Sequence, residues 1–337
     1  MGRNPSDLVL FVAKRLVQLV PVIFGVVLIT FIFSHVVPNV CAIWFPRAKP
    51  SELLACAIRY GLDQPLYVQL GGYFSQLFTG NWGVSPQGQL VYSAIATALP
   101  DTLELIFAAL FLMVFVGIPL GVIAANASGR WADHFVRIFY LSGWATPTYL
   151  AGVVLAIGVG PVLGLPTHAD FSTTPTFPQP THFSLIDAAL TGNPGTFADA
   201  FAHLILPALA LAFINMGIAT RMTRSSMLEI LPLDFVKTAR MKGLGEFWVL
   251  YKHALRNSLI TTTTVLGVTA GGLLSGTVVI ERIFEWPGIG YYAFNAVTGY
   301  NYPGTFAVVI VFAIAVVVAN LIADILYGVL DPRVEWK

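Results

Sequence analysis

Long stretches of this chain carry no Asp, Glu, Lys, Arg or His: Leu16 to Ser34, Leu105 to Gly129, Ile138 to Thr167, Leu204 to Thr220, Asn257 to Ile280 and Trp286 to Ala323. About 20 helical residues at ~1.5 Å each cross a ~30 Å hydrocarbon layer. Each run is therefore read as a membrane-spanning helix, the last one confined to its later part because it opens with Pro287, Gly288 and Gly290. The runs are apolar on every face, whereas barrel strands alternate every second residue. The first run follows Lys14 and Arg15 as a signal peptide would. It is too long for the core of one and lacks a small-residue cleavage site, so it is read as an uncleaved helix.

The expected fold is an all-α integral membrane protein of six transmembrane helices with both termini cytoplasmic. The segments are a cytoplasmic N-terminus (1–15), a first span (16–37), an extracytoplasmic segment (38–102) and a core membrane unit (103–337). Within that unit the spans are 103–125, 138–162, 204–220, 259–280 and 305–327, and a cytoplasmic loop (221–258) joins the fourth to the fifth. Sidedness follows from the basic residues, which favour the inside in short loops. Arg3, Lys14, Arg15, Arg130, Arg137, Arg221, Arg224, Lys237, Arg240, Lys242, Lys252, Arg256, Arg333 and Lys337 fall on the inside. Only Arg47, Lys49, Arg59 and Arg282 fall outside. The Thr/Pro-rich stretch Ser172 to Thr181 reads as an irregular outer loop.

Composition strengthens the assignment. The 337 residues are 56% hydrophobic and 10% charged, with mean hydropathy +0.77, against about 25% charged in ordinary soluble domains. A net charge of +1 lacks the basic footprint of a nucleic-acid binder, and disorder requires low hydrophobicity.

The inner loop carries the clearest local pattern. Leu231-Pro232-Leu233 interrupts the fourth helix. Asp234 is placed to cap a new helix, and Gly243 suits its left-handed C-terminal position. A second amphipathic helix, about Glu246 to Asn257, sets Phe247, Leu250, Tyr251, Ala254 and Leu255 on one stripe. The whole reads as helix, glycine turn and helix laid along the inner membrane face. From physics alone it fits either a basic helix resting on anionic lipid or a rigid knob for a cytoplasmic partner. The glycine reversal favours the knob.

The sequence Asp234-Phe235-Val236-Lys237-Thr238-Ala239-Arg240-Met241-Lys242-Gly243-Leu244, followed by His253-Ala254-Leu255-Arg256-Asn257-Ser258, resembles the EAA-type coupling loop of ABC importer permeases. The generic loop has Glu-Ala-Ala, a Gly four residues on and a later Leu-Pro. Here Lys237-Thr238-Ala239 and Leu255-Arg256 stand in their places, as in the B-type subunits of the dipeptide/oligopeptide permease family. Similar matches are Gly61 to Gln69, Leu99 to Leu105, His203 to Leu209, Phe284 to Gly290 and Leu330 to Arg333.

The resemblance implies a permease that pairs with a second homologous permease, two cytoplasmic ATPases and an extracytoplasmic substrate-binding protein, with peptides as cargo. Relatives of the same architecture carry oligosaccharides or nickel. The implied ATPase contact comprises Asp234, Lys237, Thr238, Ala239, Arg240, Lys242, Gly243 and Leu244. ATP and Mg are expected on the partner subunits and no cofactor on this chain, which has no Gly-Lys dipeptide for a P-loop. It likewise lacks the zincin motif and the serine-hydrolase elbow.

Gly267, Gly271, Gly272 and Gly276 form small-residue pairs suited to close helix packing. The hydroxyls of Thr261 to Thr264, Thr269 and Ser275 either line a wet path or bond back to their own helix. Gly117, Pro119 and Gly121 suggest packing and a kink. Asp324, His35 and Arg137 sit at span ends, where pairing or anchoring is expected. Cys41 and Cys56 are either bridged in an oxidising compartment or free. A secondary transporter would call for paired acids in mid-membrane and internal repeats, and neither is visible along the sequence.

Overall fold

The computed structural model describes residues 5–36, 40–44, 47–59, 61–168 and 178–330. Arg3, residues 172–177 of the Thr/Pro-rich loop, the 331–333 part of the C-terminal motif and Lys337 lie outside the described residues, as do the side chains of Arg59 and Asp324. The described part is helical, with one isolated bridge between Val84 and Leu90.

Helix α1 (Pro5–Phe31) ends in a wide π-helical turn, Ile32–Val36. Three short helices follow: α2 (Val40–Trp44), α3 (Pro50–Arg59) and α4 (Leu66–Phe78). Cys41 and Cys56 are disulfide-bonded with Cα atoms 6.1 Å apart. They pack with Trp44 against Tyr302 and Phe306. Phe74 of α4 stacks on Phe24 of α1 at 5.6 Å, and Tyr73 donates to the Thr30 hydroxyl at 3.2 Å.

Helices α5 (Val91–Leu112) and α6 (Ile118–Asn126) form one apolar rod joined by a π-helical turn, Met113–Gly117. The rod starts 12 residues before the expected span at 103. The turn immediately precedes Pro119, which has no N–H for the helical ladder, and a one-residue widening absorbs the missing bond. Gly117 and Gly121 serve packing here: an added Cβ would meet Met216 at 3.0 Å and Thr223 at 2.6 Å respectively.

The third apolar run departs from a single helix. It divides into α7 (Trp131–Ala145) and α8 (Thr148–Val153), which continues through a π-helical turn into α9 (Gly160–Leu163); the two parts are bent by 108°. Pro147 forces Thr146 into an extended conformation (ψ 124°) and cannot donate to the preceding turn.

Helix α10 (Ser184–Leu190) leads to α11 (Pro194–Ile230), capped by the Asn193 side chain, which accepts from Gly195 N–H at 2.9 Å. With 37 residues α11 is about 55 Å long, far more than a bilayer core requires. Helix α12 (Asp234–Met241) follows. Then α13 (Glu246–Trp248), a π-helical turn (Val249–Ala254) and α14 (Leu255–Ile283) run as a continuous 38-residue rod. The second loop helix expected at 246–257 is thus the foot of the fifth span, not a separate helix lying on the membrane. Helices α15 (Ile289–Thr298) and α16 (Tyr302–Leu330) complete the chain. Among the described residues five helices are long and apolar enough to cross a membrane, six when the bent pair counts as one.

The antiparallel packing gives the bundle two ends. The 231–254 connection marks one, termed the loop end. The disulfide, the end of α14 and the start of α16 mark the other, the far end.

Candidate functional site

The 231–254 connection is built as a projecting knob on a stiff base. Leu231–Leu233 ends α11, and Leu233, in an extended conformation (ψ 150°), takes the capping position of α12. Asp234 is therefore the first helical residue rather than the cap; its carboxylate accepts from Lys237 Nζ at 3.1 Å. Val236 and Ala239 face inward and join Met227, Val249, Leu250, Ala254 and Leu255 in the main core. Ala239 is 5% exposed, so it anchors the helix and is not on its contact surface, contrary to its place in the expected ATPase patch. Lys237, Thr238, Arg240, Lys242, Gly243 and Leu244 remain exposed.

Gly243 ends α12 in the left-handed conformation, φ +75°, where a Cβ is disfavoured. Across this reversal Arg240 makes two bonds to Glu246, at 3.2 and 2.7 Å. The Glu246 carboxylate raises the Arg240 guanidinium above its usual value. Large apolar side chains share the same surface: Phe235, Met241, Phe247 and Trp248 are all exposed. Phe247 belongs to the expected apolar stripe of the second loop helix, while the sequence assigns Phe235, Met241 and Trp248 no surface role; on an eight-residue helix the inward positions Val236 and Ala239 are the signal that leaves Phe235 and Met241 outside.

At the far end the fold gathers acids that are remote in sequence. Glu281, fully buried, accepts from the Thr102 hydroxyl at 2.8 Å and from Tyr291 N–H at 2.9 Å. Thr102 in turn accepts from Ile289 N–H at 2.8 Å. Trp286 Nε1 donates to the Asp101 carbonyl at 2.9 Å. Gly288 lies so close to the Thr102 hydroxyl and the Glu281 carboxyl that a Cβ there would overlap both. The result is a clasp tying α5, the end of α14 and the start of α15. Beside it Ser184 donates to Asp101 at 3.1 Å, and Leu185 N–H to Glu104 at 2.7 Å, fixing α10. Along the sequence Glu281 lies just past the expected fifth span (259–280), beside the outside residue Arg282, with no pattern that groups it with other acids. Their grouping depends on contacts spanning about 180 residues, which no local pattern encodes.

The α14 residues singled out as packing or pathway candidates separate by face. Gly267 and Gly271 back onto α16, where added Cβ atoms would meet Ala323 at 2.9 Å and Asn320 at 3.2 Å. Gly276 faces Leu211 of α11 at 3.3 Å, and Gly272 faces open space. Thr264 and Ser275 bond back to the Ile260 and Gly272 carbonyls of their own helix at 2.9 and 2.8 Å. Thr262 instead pairs with Thr223 across the helix interface at 3.2 Å.

One buried ion pair also escaped the sequence reading. Asp133 and Arg224 form two bonds of 2.7 and 2.8 Å, with Gly129 N–H donating to the same carboxylate at 3.0 Å. They fasten the α6–α7 turn to α11. Among the described residues no group of three or more His, Cys, Asp or Glu could hold a metal ion.

Comparison with known proteins adds a family. A family model described as "Binding-protein-dependent transport system inner membrane component" matches residues 117–336. The chain is 42% identical to the probable D,D-dipeptide transport system permease protein DdpB of Escherichia coli, over 95% of this chain and 96% of the relative. It is 39% identical to the di/tripeptide transport system permease protein DppB of Pseudomonas aeruginosa (97% and 99% covered). Identity to the oligopeptide transport system permease protein AppB of Bacillus subtilis is 32% (97% and 99%).

Proposed function

The chain belongs to the family of inner membrane components of binding-protein-dependent transport systems, and from that premise we propose that it is one permease subunit of an ATP-driven peptide importer. In this reading the bent pair α7–α9 is the third of six spans, and both termini and the loop end face the cytoplasm. Two independent features support that orientation. The sequence assigns 14 of the 18 basic residues to the cytoplasmic side with the 221–258 loop. The disulfide lies at the far end, and disulfides persist in oxidising compartments.

A second, homologous permease completes the pathway, two ATPases carry ATP and Mg, and an extracytoplasmic protein delivers the cargo. Peptides are favoured over oligosaccharides or nickel because the relatives are named for dipeptide, di/tripeptide and oligopeptide transport.

The observation that carries the proposal is α12. Its exposed face, made of Asp234, Lys237, Thr238, Arg240, Lys242, Gly243 and Leu244 with Phe235 and Met241, stands on a rod continuous with the fifth span. Seated in a groove of an ATPase, it passes groove movement directly into α14. Ala239 and Val236 hold it to that rod, so helix and span move together. A ligand-driven change of this kind requires contacts that differ between the two end states, and a docked helix whose groove opens and closes meets the requirement.

Cysteine cross-linking from Lys242→Cys should capture an ATPase subunit in the assembled complex, and peptide uptake into proteoliposomes should cease when ATP is withheld. The buried acids at the far end are the one feature suggesting ion-driven transport. Uptake that persists without ATP and collapses with an ionophore would establish that alternative and overturn the proposal.

A further inference from the structure

Helices α7 and α11 run antiparallel in constant register. Asp133 meets Arg224, a Cβ on Gly217 would lie 2.8 Å from the Tyr140 carbonyl, and one on Gly143 would lie 2.5 Å from the Phe213 carbonyl. In this register Arg221 is level with residue 136, one turn above the Asp133–Arg224 pair at the loop end. Helical side chains lean toward their helix N-terminus, and that of α11 is at the far end. The Arg221 guanidinium accordingly reaches away from the loop end and sits 5.9 Å from the Trp144 ring centroid. Trp144 lies about 12 Å farther along α7 than residue 136. There the guanidinium borders a notch of about 40 Å³ lined by Tyr140, Leu141, Trp144, Gly217 and Ile218.

An arginine near a membrane surface ordinarily turns its head outward to water; this one turns inward. Among the described residues it makes no ion pair, whereas Arg224, one turn away, is bound twice by Asp133. The Arg221 side chain is exposed on the surface of this chain, and a charged head facing lipid tails without a partner is costly, so the notch is read as opening on water. We infer that the Arg221–Trp144–Tyr140 notch is a subsite on the aqueous pathway for the terminal carboxylate of a passing peptide. A planar guanidinium suits a carboxylate. The C-terminal carboxylate is also common to peptides of every sequence, so one fixed cation can serve varied cargo. The inference rests on the peptide-import reading above.

Cys41 and Cys56 are bonded to each other and the chain has no other cysteine, so Arg221→Cys introduces a single free thiol. In the assembled complex in nanodiscs, an anionic, water-soluble methanethiosulfonate should modify R221C at least tenfold faster than Ile157→Cys, an exposed position on the apolar α8–α9 segment. Delivery of peptide by the binding protein should slow that modification. A thiol facing lipid or covered by the partner permease would not react. No reaction of R221C while Ser128→Cys, exposed in the α6–α7 turn, reacts would therefore overturn the inference.

In proteoliposomes with saturating loaded binding protein, Arg221→Gln should slow uptake of a free-acid peptide roughly tenfold. Uptake of its C-terminal amide should be unchanged, and Arg221→Lys should retain most of the free-acid rate. Equal slowing of acid and amide, or an effect that disappears in purely zwitterionic lipid and so reports a net-anionic headgroup, would overturn the assignment. Failure of the unaltered complex to import either peptide would instead reject the peptide reading, whatever the thiol reports.

Discussion

Alanine at Gly243 separates the backbone conformation of the knob from its contacts. Gly243 has φ +75°, and its N–H donates to the Arg240 carbonyl at 2.9 Å. An added Cβ would meet nothing within 4 Å. The cost is therefore that of holding an L-residue in the left-handed region, ~1–2 kcal/mol. The Arg240–Glu246 pair spans the same turn, but both side chains are over 40% exposed. Such a pair contributes at most about 1 kcal/mol and cannot hold the turn alone. A shift of 1–2 kcal/mol changes the ratio of native to relaxed loop by roughly 5–30-fold.

Gly245 is the control two residues away. Its φ is −59° and its Cβ position is equally open, so alanine there carries no such strain. Phosphate release and labelled-peptide uptake, measured in parallel on the reconstituted complex, yield ATP consumed per peptide imported. Gly243→Ala should raise that ratio several-fold, Gly243→Asn should raise it less because Asn tolerates the left-handed region, and Gly245→Ala should leave it within about twofold. Equal ratios for the two alanine variants would refute the reasoning.

Three other outcomes follow from the packing. Glu281→Ala strands the Thr102 hydroxyl and Tyr291 N–H, each at ~1–3 kcal/mol; melting followed by tryptophan fluorescence should fall by about 4–24 °C at ~2–4 °C per kcal/mol, and an unchanged transition would contradict the clasp. Asp133→Ala leaves Arg224 unpaired at ~3–5 kcal/mol, and the double variant with Arg224→Ala should recover part of the loss; strict additivity in a double-mutant cycle would show that the pair is not coupled. Cys41→Ser removes a 15-residue closure worth ~3 kcal/mol, so limited proteolysis should cleave the 40–90 segment faster, and an unaltered cleavage rate would show that the bridge does not brace it.

Much of the loop end was legible before any coordinates. Gly243 stands out in a polar loop as the residue that alone adopts φ +75° without strain, and Leu231-Pro232-Leu233 marks the end of α11 by the chemistry of proline. The orientation of α12 was not legible. An eight-residue helix offers only two inward positions, and their choice depends on Val249, Leu250 and Ala254 beneath them. Ala239 is small, flanked by Thr238 and Arg240 and inconspicuous, yet it is the buried one.

The apolar runs show the same division. Transfer from water to hydrocarbon is a sum over residues, so membrane residence, the number of apolar segments and the skew of basic charge toward one side are properties of the linear chain. Direction is not such a sum: the 138–167 run reads as one long span, but Pro147 turns it by 108°. Pairing is not additive along the chain either. Glu281 looks like a loop acid until Thr102 and Tyr291 surround it, and Arg221 looks like an interfacial anchor until Trp144 lies under its guanidinium. The tertiary structure alone decided which charges are buried, which are paired and which point into the bundle, because each is an interaction between residues that only folding brings together.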